Sequence, residues 1–215
     1  MANAQGRLIT IEGLDGAGKT TLATGLLAAA RRRGIEVELL REPGGVRTAE
    51  RIRDLVTDPS LTVSARTEAL LYAAARAQLV EEALRPLIAR GVTVLLDRFV
   101  DSSLAYQGGG RELGVEAVRA INTFATGALS PDLTLLLAVA PGTGRDRTGS
   151  RGTAADRLEQ EPEPFFARIA ETYAALAAAE PQRFLVLDAA QPAEAVLSAA
   201  RAAVFALFGV RDGGE

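Results

Sequence analysis

The chain has 215 residues and a formal net charge of −3, with 48% hydrophobic and 24% charged residues, a composition that fits a soluble globular domain and not a basic, duplex-binding one. It contains no cysteine and no histidine, which excludes disulfides, thiol redox chemistry, a histidine general base and a His/Cys zinc site. No apolar run reaches the roughly 18–20 residues of a membrane span, and MANAQGRLITIEG lacks the basic-then-apolar layout of a signal peptide. The expectation is therefore cytoplasmic, with no membrane and no nucleic acid as partner.

In chain order, RLITIE (7–12) reads as a buried strand, and 19–33 as a helix stopped by Gly34. IEVELL (35–40) is a second strand, REPGG (41–45) a turn, and 47–57 a helix. Residues 64–90 read as one long helix with Pro86 near its end and Gly91 after it. VTVLLD (92–97) is a third strand. A short helix over 100–107 is predicted to stop at Gly108, Gly109 and Gly110, and another helix covers 114–126. A strand at 132–139, a short helix at 142–148 and a Gly/Arg/Thr-rich loop follow. The last elements are a helix at 163–179, a strand at 184–188 and a helix at 192–208. The tails, 1–5 and 211–215, read as disordered. Five short apolar strands alternating with helices predict an α/β fold. It is a single domain over 1–215, with a five-stranded parallel sheet covered by helices on both faces.

GLDGAGKTT (13–21) joins the first strand to the first helix and fits G-x-x-x-x-G-K-[ST]. Glycines let backbone N–H groups curl around a phosphate, and the helix N-terminus adds positive potential. The expected triphosphate cradle is Gly13, Leu14, Asp15, Gly16, Ala17, Gly18, Lys19, Thr20 and Thr21, with Lys19 on the β- and γ-phosphates and the Thr20 hydroxyl on Mg²⁺. Lys19 is the chain's only lysine; every other basic residue is arginine. The guanine-reading Asn-Lys-x-Asp segment of GTPases is thereby excluded. Asp97 closes the third strand as a second candidate for Mg²⁺. It is followed by Arg98, where motor ATPases place a water-activating glutamate, so transfer to a bound acceptor fits better than hydrolysis.

REPGG (41–45), LLYAAAR (70–76) and DRFVDSSLAYQGGGR (97–111), together with GLDGAGKTT, closely resemble bacterial thymidylate kinases. PDLTLLL (131–137), DRLEQE (156–161) and QRFLVLDAAQPAE (182–194) fit in the same order, so the resemblance spans about 7–208. It implies the P-loop nucleoside monophosphate kinase fold, a homodimer, and phosphorylation of dTMP to dTDP with ATP as co-substrate and Mg²⁺ as cofactor, feeding the dTTP pathway. The alternative is another P-loop nucleoside or nucleoside monophosphate kinase.

The resemblance also implies roles. Arg98 and Arg53 would hold the acceptor phosphate, Arg98 also reaching the transferring phosphoryl group. Tyr72 would stack on thymine and Arg76 donate to its O4. Ser103 and Gln107 would meet the base edge, and Tyr106 would pack beneath the deoxyribose. Asp15 would face the 3′-OH, and Glu42, before a cis Pro43, would point into the site. Ser102 is expected only to cap or pack locally. The phosphate loop has Gly16 where some relatives carry a catalytic arginine. The lid run 144–161 is then expected to supply it, with Arg151 and Arg157 facing phosphate, Arg147 on adenine and Arg145 as a further cation. The loop AAQP (189–192) would touch adenine through its backbone.

Overall fold

A computed structural model describes residues 6–140 and 157–210. The expected helix at 142–148, both tails, and Arg145, Arg147 and Arg151 lie outside them.

The described elements are β1 (Leu8–Gly13), α1 (Lys19–Arg32), β2 (Val37–Arg41), α2 (Arg47–Thr57), α3 (Ala65–Leu79), α4 (Arg85–Ala89), β3 (Thr93–Asp97), α5 (Val100–Ser103), α6 (Val115–Thr126), β4 (Leu133–Ala138), α7 (Glu163–Ala179), β5 (Phe184–Asp188) and α8 (Ala193–Ala206). All strand pairs are parallel, in the order β2-β3-β1-β4-β5. β1 is therefore central, and its carboxyl end opens between β3 and β4, where a parallel α/β sheet collects ligands.

Strand alternation divides the core between two faces. Ile9, Ile11, Leu95, Leu135 and Leu137 pack with Leu22 and Leu26 of α1 and with Val196, Ala200 and Phe205 of α8. Leu8, Val94 and Leu96 meet Leu79, Val80, Leu84 and Ile88, while Leu136 meets Phe165, Phe166 and Ile169 of α7. The expected α/β architecture, with helices on both faces of five parallel strands, is what the chain adopts.

Two elements depart from expectation. The helix over 64–90 is not uniform. It begins behind Ser64, whose hydroxyl accepts from Thr67 N, and passes through a π-helical turn at Val80–Leu84 before α4. Pro86 is the physical reason: it has no N–H, and its ring presses on the carbonyl four residues earlier. The widened turn, in which Arg85 N bonds Val80 O, absorbs that conflict.

The glycines at 108–110 do not stop a helix either; α5 continues as a π-helical segment through Leu104–Gly110. They serve close approach instead. A Cβ on Gly109 would lie 2.0 Å from Thr172 Oγ1, and one on Gly110 would lie 2.7 Å from the Phe165 ring. Only a bare backbone lets α7 pack against this segment.

Candidate active site

The loop leaving β1 turns at Gly13, whose φ is 136° and where a Cβ would lie 2.5 Å from Leu137 O. Gly18, at φ 98°, forms the left-handed entry to α1. No side chain caps α1 and no acidic residue sits in its first turn, so its leading N–H groups remain suited to an anion. Lys19 folds back over the loop. Its buried Nζ lies 2.9 Å from Leu14 O, 3.2 Å from Gly13 O and 3.5 Å from Asp15 Oδ1.

Two clefts meet at this loop. One is lined by Gly16, Gly18, Lys19, Thr20 and Asp97. The other is lined by Pro43, Tyr72, Arg76, Ser103, Tyr106 and Gln107. Asp15, Glu42, Arg53 and Arg98 line both. A third cleft runs from Gly16, Ala17 and Thr21 to Ala189 and Gln191, the loop expected at adenine.

Arg98 stands between the first two clefts. Its backbone is left-handed, φ 69°. Its guanidinium donates to Gly13 O at 3.1 Å, Ser102 Oγ at 3.1 Å, Asp15 Oδ1 at 2.6 Å and Tyr106 Oη at 3.1 Å, and it sits 5.0 Å from the Tyr106 ring centre. Burial raises the Asp15 pKa, but Arg98 and Lys19 together outweigh it and hold the carboxyl well below the usual range. Arg53 donates to Pro43 O at 2.9 Å.

The second cleft has a wall built on a buried ion pair. The Glu42–Pro43 bond is cis, and the buried Glu42 carboxylate pairs with Arg76 at 2.6 Å. Arg76 is 1% exposed, and its N–H groups all meet protein acceptors: Glu42, Ser103 Oγ, Asn122 Oδ1 and Phe99 O. It lines the cleft as expected, yet a base O4 reaching it must share a donor already in use. Gln107 donates from Nε2 to Glu68 at 2.9 Å. Tyr72 is half-buried at the cleft wall.

Arg157 stands apart from this group. It pairs with Glu68 at 2.7 Å and donates to Val56 O at 3.0 Å, and it lines neither cleft. The Glu68 carboxylate is fully buried, and a buried charge left without a partner is costly, which holds the guanidinium here.

Ser102 does more than pack locally. It donates to Glu12 Oε2 at 2.5 Å while accepting from Arg98. Glu12 Oε1 accepts from Phe99 N at 2.7 Å, and Tyr173 Oη bonds Oε2 at 2.9 Å. Glu12 thus grips the chain just after the left-handed Arg98, at Phe99 and Ser102. Glu12 is not among the expected site residues, although a glutamate at the end of a buried strand is a signal.

Burial pushes the Glu12 carboxyl up to about 7; Asp101 adds to that push, and Ser102, Arg98 and Tyr173 oppose it. Between its ordinary value of 4.5 and about 7, the folded chain keeps this proton and the unfolded chain loses it. The group's contribution to stability therefore grows as pH falls through that window. Glu12→Gln carries no charge to desolvate, so the stability gap between wild type and variant should move in favour of wild type from about pH 7.5 to about pH 5.5. A gap independent of pH in chemical denaturation would show that Glu12 stays ionised.

Among the described residues no cluster of three or more His, Cys, Asp or Glu could hold a metal ion. One feature does suit a hard cation. Asp97 Oδ1 is buried with no hydrogen-bond partner, in the cleft that Thr20 also lines. Two oxygen donors beside a phosphate site fit an ion held mostly by phosphate and water.

A cleft at the phosphate loop that shares four lining side chains with its neighbour is built for two phosphate-bearing ligands to meet. That defines the class, a P-loop kinase acting on a nucleotide-sized acceptor. The family model described as thymidylate kinase matches residues 11–200. The thymidylate kinase of Deinococcus radiodurans is 50% identical over 189 residues, covering 88% of this chain and 91% of its own length. That of Alkalilimnicola ehrlichii is 49% identical over 196 residues, covering 91% and 90%, and that of Lactobacillus delbrueckii subsp. bulgaricus 48% over 198 residues, covering 91% and 93%. The chain belongs to the thymidylate kinase family, ATP-dependent nucleoside monophosphate kinases that convert dTMP to dTDP.

Proposed function

We propose that the enzyme transfers the γ-phosphoryl group of ATP in line to dTMP across the boundary between the two clefts. The observation that carries this reading is the double lining by Asp15, Glu42, Arg53 and Arg98. A non-bridging oxygen of the dTMP phosphate forms the new P–O bond while the bond from the γ-phosphorus to the β,γ-bridging oxygen breaks, releasing ADP. An ionised phosphate is already nucleophilic, so no general base is required, in keeping with a chain that has no histidine. Catalysis is alignment and charge neutralisation.

In this reading the loop N–H groups and Lys19 hold the triphosphate, and Arg53 and Arg98 hold the acceptor phosphate. Asp15 is the counter-charge that keeps Arg98 and Lys19 in place before phosphates arrive, and it then faces the sugar 3′-OH. Tyr72, Arg76, Ser103 and Gln107 surround the base, with Tyr106 under the sugar. Thr20 and Asp97 would hold Mg²⁺, which when bound neutralises phosphate charge. Arg157 is engaged by Glu68, so we assign the phosphate-facing lid role to Arg151, with Arg147 on adenine.

The acceptor range tests the reading. Phosphoryl transfer from ATP to dTMP, dUMP, dCMP, dAMP and thymidine is expected to be fastest to dTMP, measured as kcat/KM. A clear preference for thymidine or dAMP would sink it.

A cytoplasmic homodimer completes the proposal. Leu70 on α3 is 56% exposed and Phe124 on α6 is 92% exposed, on helices that pack side by side. A second copy would cover these side chains. Phe124→Arg is expected to yield monomer in sedimentation at micromolar concentration, where the wild type sediments as a dimer. A monomeric wild type would remove the dimer from the proposal.

A further inference from the structure

Glu68 lies in the first turn of α3, fully buried, between Gln107, Arg111 and Arg157. Its Oε1 accepts from Gln107 Nε2 at 2.9 Å and from Arg111 Nε at 3.2 Å. Its Oε2 accepts from Arg111 Nη2 at 3.0 Å and pairs with Arg157 at 2.7 Å. Flanked by two guanidinium groups and the Gln107 amide, this carboxylate faces only donors and accepts at both of its oxygens.

That one-sidedness has a consequence for Gln107. A carboxamide is nearly symmetric in shape but not in chemistry, and only its NH₂ end can face a carboxylate. A flipped amide would set oxygen against oxygen inside a buried site, where such a clash is costly. With Nε2 committed to Glu68, Gln107 offers its carbonyl oxygen to the acceptor cleft that it lines with Tyr72, Arg76 and Ser103.

We propose that Glu68 is a positioning residue that fixes Gln107 as a hydrogen-bond acceptor. The cleft thereby takes pyrimidines that carry N3–H, as thymine and uracil do, and turns away cytosine. Cytosine presents a lone pair at N3, which would face the Gln107 oxygen with no proton between them. Leaving such a pair unmet in a buried site is far more discriminating than a change of shape. This inference rests on the reading that the base occupies the cleft beside Gln107.

In Glu68→Gln the new amide can donate as well as accept, so Gln107 can turn and present NH₂ to the base. The preference for dTMP over dCMP, as a ratio of kcat/KM values, is expected to fall about 10–100-fold. Most of the change should lie in KM for the acceptor. Glu68→Asp, which remains acceptor-only, should restore most of the preference. Arg111→Gln removes an ion-pair partner of Glu68 without removing the carboxylate and should leave the ratio unchanged. An equal fall in Glu68→Gln and Arg111→Gln, or an unchanged ratio in Glu68→Gln, would overturn the proposal.

The wild-type enzyme gives a measurement that depends on no variant at Glu68. One Gln107 side-chain NH₂ proton should resonate downfield and exchange slowly, the resonance being assigned by its loss in Gln107→Ala. Ordinary free-amide behaviour would count against the role of Glu68. Failure of the underlying reading looks different: wild type would then phosphorylate N3-methyl-dTMP as well as dTMP.

Discussion

Replacing Arg98 with alanine is expected to lower kcat about 10³-fold, and replacing it with lysine to lower it nearly as much. Arg98 touches both the phosphate loop, through Gly13 O, and the second cleft, through Tyr106. Its fork makes four separate contacts from a left-handed backbone position, and Glu12 holds the peptide that follows it. A lysine ammonium keeps the charge but cannot span the same acceptors. The loss should fall on kcat more than on KM for ATP, because the loop and Lys19 still bind the triphosphate. Far-UV circular dichroism and ATP affinity would confirm that the variant is folded and loaded. If Arg98→Ala formed dTDP at more than about a tenth of the wild-type rate, the proposed transfer between the clefts would be wrong.

Glu12 explains why the arginine can be so placed. A left-handed φ at a residue with a long side chain costs about 1–2 kcal/mol. The structure holds Arg98 there by bonding Phe99 N to Glu12 and Arg98 N to Ile11 O at 3.0 Å. Both anchors belong to β1, the strand that also delivers the phosphate loop. Arg98 and the phosphate loop are thus referenced to one strand, and a change in either is transmitted to the other through a few short bonds.

The strand and helix order was legible because each apolar run is short, β-branched and bounded by glycine, proline or charge, as VTVLLD is. What periodicity could not show was local winding. The π-helical turn ahead of Pro86 and the continuation of α5 through three glycines depend on what packs alongside, on Thr172 and Phe165 in particular. The side chains singled out for the acceptor, among them Arg53, Tyr72, Arg76, Arg98, Ser103, Tyr106 and Gln107, do line one cleft. The buried carboxylates that orient them, Glu12 and Glu68, were not singled out. Their partners lie 87 residues away at Phe99 and 39 residues away at Gln107, and no local pattern encodes such pairings. Arg157 lies in a glycine- and arginine-rich stretch that names no partner, and the attraction that places it comes from Glu68 on α3.

The single lysine gives the second large effect. Lys19→Met is expected to reduce kcat/KM for ATP about 10²–10³-fold, and Lys19→Arg to be no better. The reason is room and geometry. Nζ is buried, within 3.5 Å of two loop carbonyls and the Asp15 carboxylate. Burial lowers the ammonium's pKa and Arg98 lowers it further, while Asp15, Asp97 and Glu12 raise it, so this cation is kept by acidic groups that a phosphate must join or displace. A guanidinium is wider, planar and needs five acceptors, and here it would press against the neighbouring Arg98 fork. The chain uses arginine at every other basic position, so drift towards arginine has had every chance to act at position 19 as well. Steady-state kinetics on the two variants separate the explanations. If Lys19→Arg recovers more than about tenfold over Lys19→Met, charge alone suffices and the solitary lysine is an accident of composition. Equal loss in both shows that the loop accepts only a compact ammonium.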